Sequence, residues 1–193
     1  KTLQCGKKPL LFAYQNVIYR YNIVQKKRII LTGGPGTGKT SIINALIAEG
    51  YNCFEEISRE IIREEMAKGT RVLPWDNLMA FSQKVIDGRV EQYNAAIDGI
   101  TFYDRSVYDS IAYLHLDKVD VLDEWDVLGK ELTFSKDVFI TPPWREIFHQ
   151  DNERKESLAQ LTLLHETLIK TYQDYGYTLI EVPRLSVKER VQF

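Results

Sequence analysis

Short uninterrupted apolar runs alternate along most of the chain with longer stretches whose apolar positions recur at helical spacing. Arg28-Ile29-Ile30-Leu31-Thr32 is such a run and ends in glycines, as suits a buried parallel strand. Thr40 to Glu49 is helical in composition, with Gly50 as its stop, and Tyr51 to Glu55 is a second strand. Ile57 to Lys68 predicts an amphipathic helix with Ile57, Ile61, Ile62 and Met66 on one face. Asp76 stands where an N-cap would open a long helix striped by Leu78, Phe81, Val85, Tyr93 and Ala96. Ile100 to Tyr103 and Asp137 to Thr141 are a third and a fourth strand, separated by helical stretches near Tyr108–Leu116 and Val119–Leu132. Asn152 to Tyr175 predicts one helix, with Leu158, Leu161, Leu164, Leu168 and Tyr172 at helical spacing. Tyr177 to Val182 is the fifth strand, and Ser186-Val187-Lys188-Glu189 is a capping box that opens a last helix.

Strands alternating with helices from Arg28 onward imply an α/β fold: an open, mainly parallel five-stranded sheet with right-handed crossovers. Residues 1–27 have no clean period and are set apart as an N-terminal appendage to a domain spanning 28–193. A chain of 193 residues suits one such domain and is short for two. A net charge of −2 speaks against general nucleic-acid binding, which needs an excess of Lys and Arg. The apolar stretch from Leu10 to Tyr14 is too short to span a bilayer, so no membrane association is expected. Cys5 and Cys53 form neither a metal-ligand pair nor a disulfide framework, which points to a reducing cytoplasm.

The chemistry concentrates after the first strand. Gly33-Gly34-Pro35-Gly36-Thr37-Gly38-Lys39-Thr40 matches G-x-x-x-x-G-K-[ST] in full, between a strand and a helix as the geometry demands. Glycines let the backbone wrap a phosphate and aim successive N–H groups at it, and the following helix adds the positive end of its dipole. Gly33 through Thr40, with the adjoining Ser41, form the candidate nucleotide-binding set for ATP. Lys39 is expected on the β and γ phosphates, and the Thr40 hydroxyl on Mg²⁺. The fold class is thus a three-layer P-loop NTPase fold with a helical lid.

Other features sort the P-loop classes. Asp104-Arg105-Ser106-Val107 stands where a GTPase would carry D-x-x-G, and no N-K-x-D follows a later strand. The third strand ends Phe102-Tyr103-Asp104-Arg105, without the Asp-Glu of large ring ATPases. The tighter form G-x-x-G-x-G-K-T, with Glu55-Glu56 closing the second strand and Asp104-Arg105-Ser106 closing the third, resembles deoxynucleoside kinases. That resemblance implies an acid at Glu55 or Glu56 as base, and an acid-Arg-Ser triplet handling Mg²⁺ and phosphate. Glu56-Ile57-Ser58-Arg59-Glu60, Thr141-Pro142-Pro143-Trp144, Asp151 to Arg154 and Glu181-Val182-Pro183 with Ser186 to Val191 resemble an AAA-domain family of short P-loop ATPases. That family includes the nicotinamide riboside kinase domain, and the likeness covers roughly residues 28–193.

The candidate catalytic set is Lys39, Glu56, Asp104, Arg105 and Arg154, with Thr40 and Asp104 as metal ligands. Phosphoryl transfer needs a base near the acceptor hydroxyl, a metal, and cations on the transferring group. Arg105 either contacts phosphate or pairs with a nearby carboxylate. Arg59, four residues past Glu55, either takes part in the site or simply pairs with that acid. Arg145, Arg154 and Lys155 lie in a charged loop that either closes over ATP as a lid or is simply solvated. Trp75 and Trp144 either stack on a ring or belong to the core. His115, His149 and His165 are scattered and form no ligand pair. The expected function is phosphotransfer from ATP to a small hydroxyl-bearing acceptor such as a nucleoside or riboside. The alternative is a nucleotide-dependent switch or slow ATPase acting through a protein partner.

Overall fold

The computed structural model describes residues 26–147 and 157–193. The N-terminal residues up to 25 and positions 148–156, Arg154 among them, lie outside the described residues. Five strands form one sheet: β1 (Lys27–Gly33), β2 (Asn52–Phe54), β3 (Ile100–Asp104), β4 (Asp137–Thr141) and β5 (Thr178–Glu181). Their order is β2-β3-β1-β4-β5 and every pairing is parallel, with Leu31 opposite Asp104 on one side of β1 and Phe139 on the other.

Period-two alternation divides the apolar runs between two faces. Leu31, Phe102 and Phe139 meet Ile42, Ile43 and Leu46 of helix α1 (Lys39–Ala48) on the first face, with Val191 of α7 (Val187–Gln192) beside them. Ile30, Val138 and Ile140 turn to the second face. There they pack against α3 (Leu78–Asn94), α4 (Val107–Leu116) and α6 (Leu158–Asp174) through Ile86, Tyr108, Ala112, Leu164, Leu168 and Tyr172. The sheet is therefore the middle of three layers, as the sequence pattern requires.

Three expectations are corrected. The N-cap of α3 is Asn77, whose side chain accepts from the Ala80 N–H at 3.1 Å. Asp76 lies one residue too early to reach the first turn, and its carboxylate is taken by Arg71 at 2.8 and 3.2 Å. In helix α2 (Ser58–Lys68) Met66 is 58% exposed, and the buried position is Glu65. The Glu65 carboxylate accepts from Thr70 at 2.6 Å and pairs with Lys84 at 3.0 Å and Lys68 at 3.4 Å, so the face turned inward is polar and paired. Helix α5 covers only Asp123–Glu131, because positions 119–122 run without helical structure up to Leu122, the N-cap. The acids Asp123, Glu124 and Asp126 then fill its first turn, where the dipole favours them. Helix α6 starts at Leu158 behind a capping box of Ser157 and Gln160; the expected start at Asn152 lies outside the described residues.

Candidate active site

The site grows from the carboxyl ends of β1 and β3, which pair side by side at the middle of the sheet. This is the edge where open α/β sheets bind ligands. The chain leaves β1 at Gly33 with φ of 135°, and a Cβ there would stand 2.2 Å from Thr141 Oγ1 and 2.6 Å from the Thr141 carbonyl oxygen. Only glycine lets the loop pass so close to the end of β4. Thr37 folds back to donate to the Gly34 carbonyl at 2.8 Å, which closes the loop on itself, and a hydrogen bond of 2.6 Å links its hydroxyl to that of Thr141 on β4.

Lys39 opens α1 and is buried, with its Nζ donating to the Gly33 and Gly34 carbonyls at 2.8 Å each. Burial, with help from the Arg105 charge, lowers the ammonium from 10.5 to about 7, against the opposing pull of Asp104 and Asp109. Thr40 and Ser41 are exposed on the next turn, while Pro35 and Gly36 are half-buried in the loop. Asp104, at the tip of β3, is 2% exposed, and its Oδ1 has no hydrogen-bond partner. Burial raises its carboxyl above the ordinary range, despite Lys39 and Arg105 nearby. An orphaned, buried carboxylate oxygen beside a phosphate loop fits a divalent cation, and Thr40 and Asp104 are the residues that would hold Mg²⁺ together with phosphate oxygens.

Arg105 turns left-handed, at φ of 74°, which for a residue with a Cβ costs roughly 1–2 kcal/mol. Asp109 holds it there: Arg105 Nη1 donates to Asp109 Oδ1 at 3.2 Å, and the Ser106 N–H donates to Oδ2 at 2.9 Å. The same carboxylate accepts from Thr32 at 2.6 Å and from the Tyr172 hydroxyl at 2.6 Å. One buried acid therefore joins the last residues of β1, the turn after β3, and α6. The carboxylate-paired alternative for Arg105 is realised in this geometry. Its charge also bears on Lys39, Asp104 and Glu56.

Glu56 follows β2 and sits on the same side of the sheet. Its Oε1 accepts from the Ser58 N–H at 2.7 Å and from Arg89 Nη2 at 3.3 Å. Burial acts to raise this carboxyl, but Arg105, Arg89 and Ser58 outweigh it and hold it below the ordinary range. Glu55 is exposed, and its carbonyl accepts from Gln92 Nε2 at 3.0 Å. A groove of about 570 Å³ runs along β2 up to Glu56, with Glu55, Ile57, Glu60 and Gln92 around its end.

The structure thus gathers Lys39, Glu56, Asp104 and Arg105 into one electrostatically linked cluster. Trp75 is 67% exposed, and Trp144 lies under the Arg190 guanidinium, 5.5 Å from its ring centre. His115 bonds Thr171 and His165 lies 3.9 Å from Glu181; His149 is outside the described residues. Sequence reasoning missed Arg89, Asp109, Tyr172 and Arg190. A signal existed for Arg89, which follows the buried Val85 at i+4 on the inward stripe of α3.

Fold and loop together define a P-loop domain. The family model described as AAA domain matches residues 28–190, and the chain belongs to that family. A search of curated proteins finds no match. Among solved structures, deoxyadenosine kinase from M. mycoides with bound dATP is similar at a TM-score of 0.60 and 17% identity, over 86% of this chain and 95% of that one. The NadR protein in complex with NR is similar at 0.63 and 18% identity, over 90% of this chain and 51% of that one. NadR with NAD and AMP-PNP gives 0.65 and 15%, over 94% and 56%. The chain spans about half of NadR, and at these identities the likeness is one of fold.

Proposed function

We propose that the protein transfers the γ-phosphoryl group of ATP to a hydroxyl of a small acceptor, a nucleoside or riboside. The observation that carries this reading is the placing of an ionised carboxylate, Glu56, across the sheet edge from Lys39 and the orphaned Asp104 Oδ1. A switch needs the last two and has no use for the first. The relatives in solved structures, a deoxyadenosine kinase and a protein bound to NR, support an acceptor of that class. No helix among the described residues is long and apolar enough to cross a membrane, and with two cysteines outside any framework we assign the protein to the cytoplasm.

In this reading Gly33 to Ser41 cradle the phosphates, and Lys39 leaves the loop carbonyls for the β and γ oxygens. Thr40 and Asp104 would hold Mg²⁺, which would supply neutralisation of charge on the phosphates. Glu56 takes the proton of the acceptor hydroxyl as its oxygen bonds to the γ phosphorus and the bond to the β-phosphate oxygen breaks, releasing ADP. Arg105 sets the charge between base and phosphate, and Arg154, which follows β4 in sequence and lies outside the described residues, supplies a further cation.

Single-turnover transfer from labelled ATP, across a panel of nucleosides and ribosides, tests this. Glu56→Gln should keep ATP binding and background hydrolysis yet cut transfer by ~10²–10⁴-fold, the scale of losing a general base. Asp104→Asn should impair transfer and background hydrolysis alike. Turnover that requires a protein partner, with every acceptor ignored, would establish the switch instead.

A further inference from the structure

Helix α7 sends one side chain into the phosphate loop. Arg190 is 6% exposed, and its Nη2 donates to the Thr37 carbonyl at 2.9 Å. The guanidinium lies against Gly38, where a Cβ would stand 2.6 Å from Nη1 at a φ of 86°. It also lies over the ring of Trp144, a residue of the segment that follows β4. Its Nε is buried and has no hydrogen-bond partner.

Among the described residues this guanidinium has no anion. Arg89 has Glu56 and Arg105 has Asp109, whereas no carboxylate among the described residues pairs with Arg190. A single carbonyl oxygen and an aromatic face do not replace the hydration of a buried cation. A fixed, buried positive charge against Gly38, on a loop built to bind phosphate, is completed by a negative ligand.

Accepting that the loop binds a nucleotide, we propose that Arg190 is a nucleotide-binding residue, and that the polyphosphate is its counter-charge. Binding then has two effects. Charge-assisted contact adds to the affinity of the loop, and the same contact fastens α7 and Trp144 against Gly38. By linkage, whatever tightens the nucleotide through Arg190 protects α7 by the same free energy.

The test uses the whole chain, without acceptor, so that it stands apart from transfer. Calorimetric titration of ADP-Mg²⁺ into Arg190→Met should show affinity ~10–100-fold below wild type, the range for one charge-assisted hydrogen-bonding group. Arg190→Lys should recover part of the loss. Inorganic tripolyphosphate should lose affinity by the same factor. A loss confined to ADP would put the guanidinium on the base and overturn the assignment. Unchanged ADP affinity in Arg190→Met would overturn it as well. In wild-type protein, amide exchange over residues 187–192 should slow on adding ADP. Unchanged exchange there refutes the coupling even if the variants fail to fold. Lys39→Ala, run in parallel, keeps the two readings distinct: if it loses affinity while Arg190→Met does not, only the present inference fails.

Discussion

The two halves of the site are built by different means. On the nucleotide side, Gly33 to Ser41 are consecutive, and most bonds shaping the loop, from Thr37 to Gly34 and from Lys39 to Gly33 and Gly34, stay within nine residues. On the proposed acceptor side, Glu56 is held by Arg89, and Glu55 by Gln92, across 33 and 37 positions of chain. The loop is specified by local backbone chemistry, whereas the acid is specified by the tertiary fold. A loop of the first kind tolerates changes in the rest of the molecule. A site of the second kind can be re-aimed by any residue that shifts α3 against β2.

Arg89→Met gives the largest effect that this contrast predicts. It leaves the partly buried Glu56 carboxylate without its guanidinium and should destabilise the fold by ~3–5 kcal/mol, as breaking one side of a buried pair does. The folded fraction should still bind ATP as wild type. Denaturant unfolding with calorimetry decides it, and unaltered stability would mean that the long-range pair does not hold the acceptor side. Lys39→Ala makes the complementary change: ATP affinity should drop by ~2 kcal/mol or more as charge-assisted bonds to phosphate are lost. The unperturbed position of Glu56 can be followed through the stability increment of Arg89 in the Lys39→Ala background, which should be unchanged.

The smallest effect concerns Glu65, whose neighbours on α2 and α3 hold it by exposed lysines. Hydrogen bonds from Thr70 and Lys84 lower its carboxyl from 4.5 to about 2. Its stabilising share is therefore complete above about pH 4.5 and is lost as pH falls through 2. Wild type and Glu65→Gln should differ in melting temperature at pH 6 and converge toward pH 2. A gap that stays constant with pH would assign the effect to packing.

The same contrast decides what could be read from the sequence. β4 is found where its apolar run lies, Asp137–Thr141, and the other strands differ by a residue or two at their ends. A short apolar run between turn residues is a local signal, and so is the glycine-rich loop with its flanking strand and helix. Asp104 was legible because it ends such a run. Arg89 carried a partial signal in its phase with Val85, whereas Arg190 carried none, because an arginine on a helix reads as solvated unless its face is known to turn inward. The choice of Asn77 over Asp76 turned on one residue of phase, which composition does not fix. Met66 and Glu65 exchanged places for a related reason: Thr70 and Lys84 make a polar inward position satisfiable, and Lys84 comes from another helix.

The strand order also governs how the molecule is made. β1 meets positions 100 to 104 on one side and 139 to 141 on the other, and even β4 and β5 are joined only through positions as far apart as 137 and 178. No hairpin exists among the described residues to nucleate this sheet. Its search is dominated by remote closures, which places it among slow folders, nearer milliseconds to seconds than microseconds. The phosphate loop is seated against the rest of the sheet only when Gly33 reaches Thr141, a contact between distant strands. A nucleotide therefore recognises the finished sheet and not its precursors. Its presence should slow unfolding in proportion to its concentration above Kd, while leaving the refolding rate as it was.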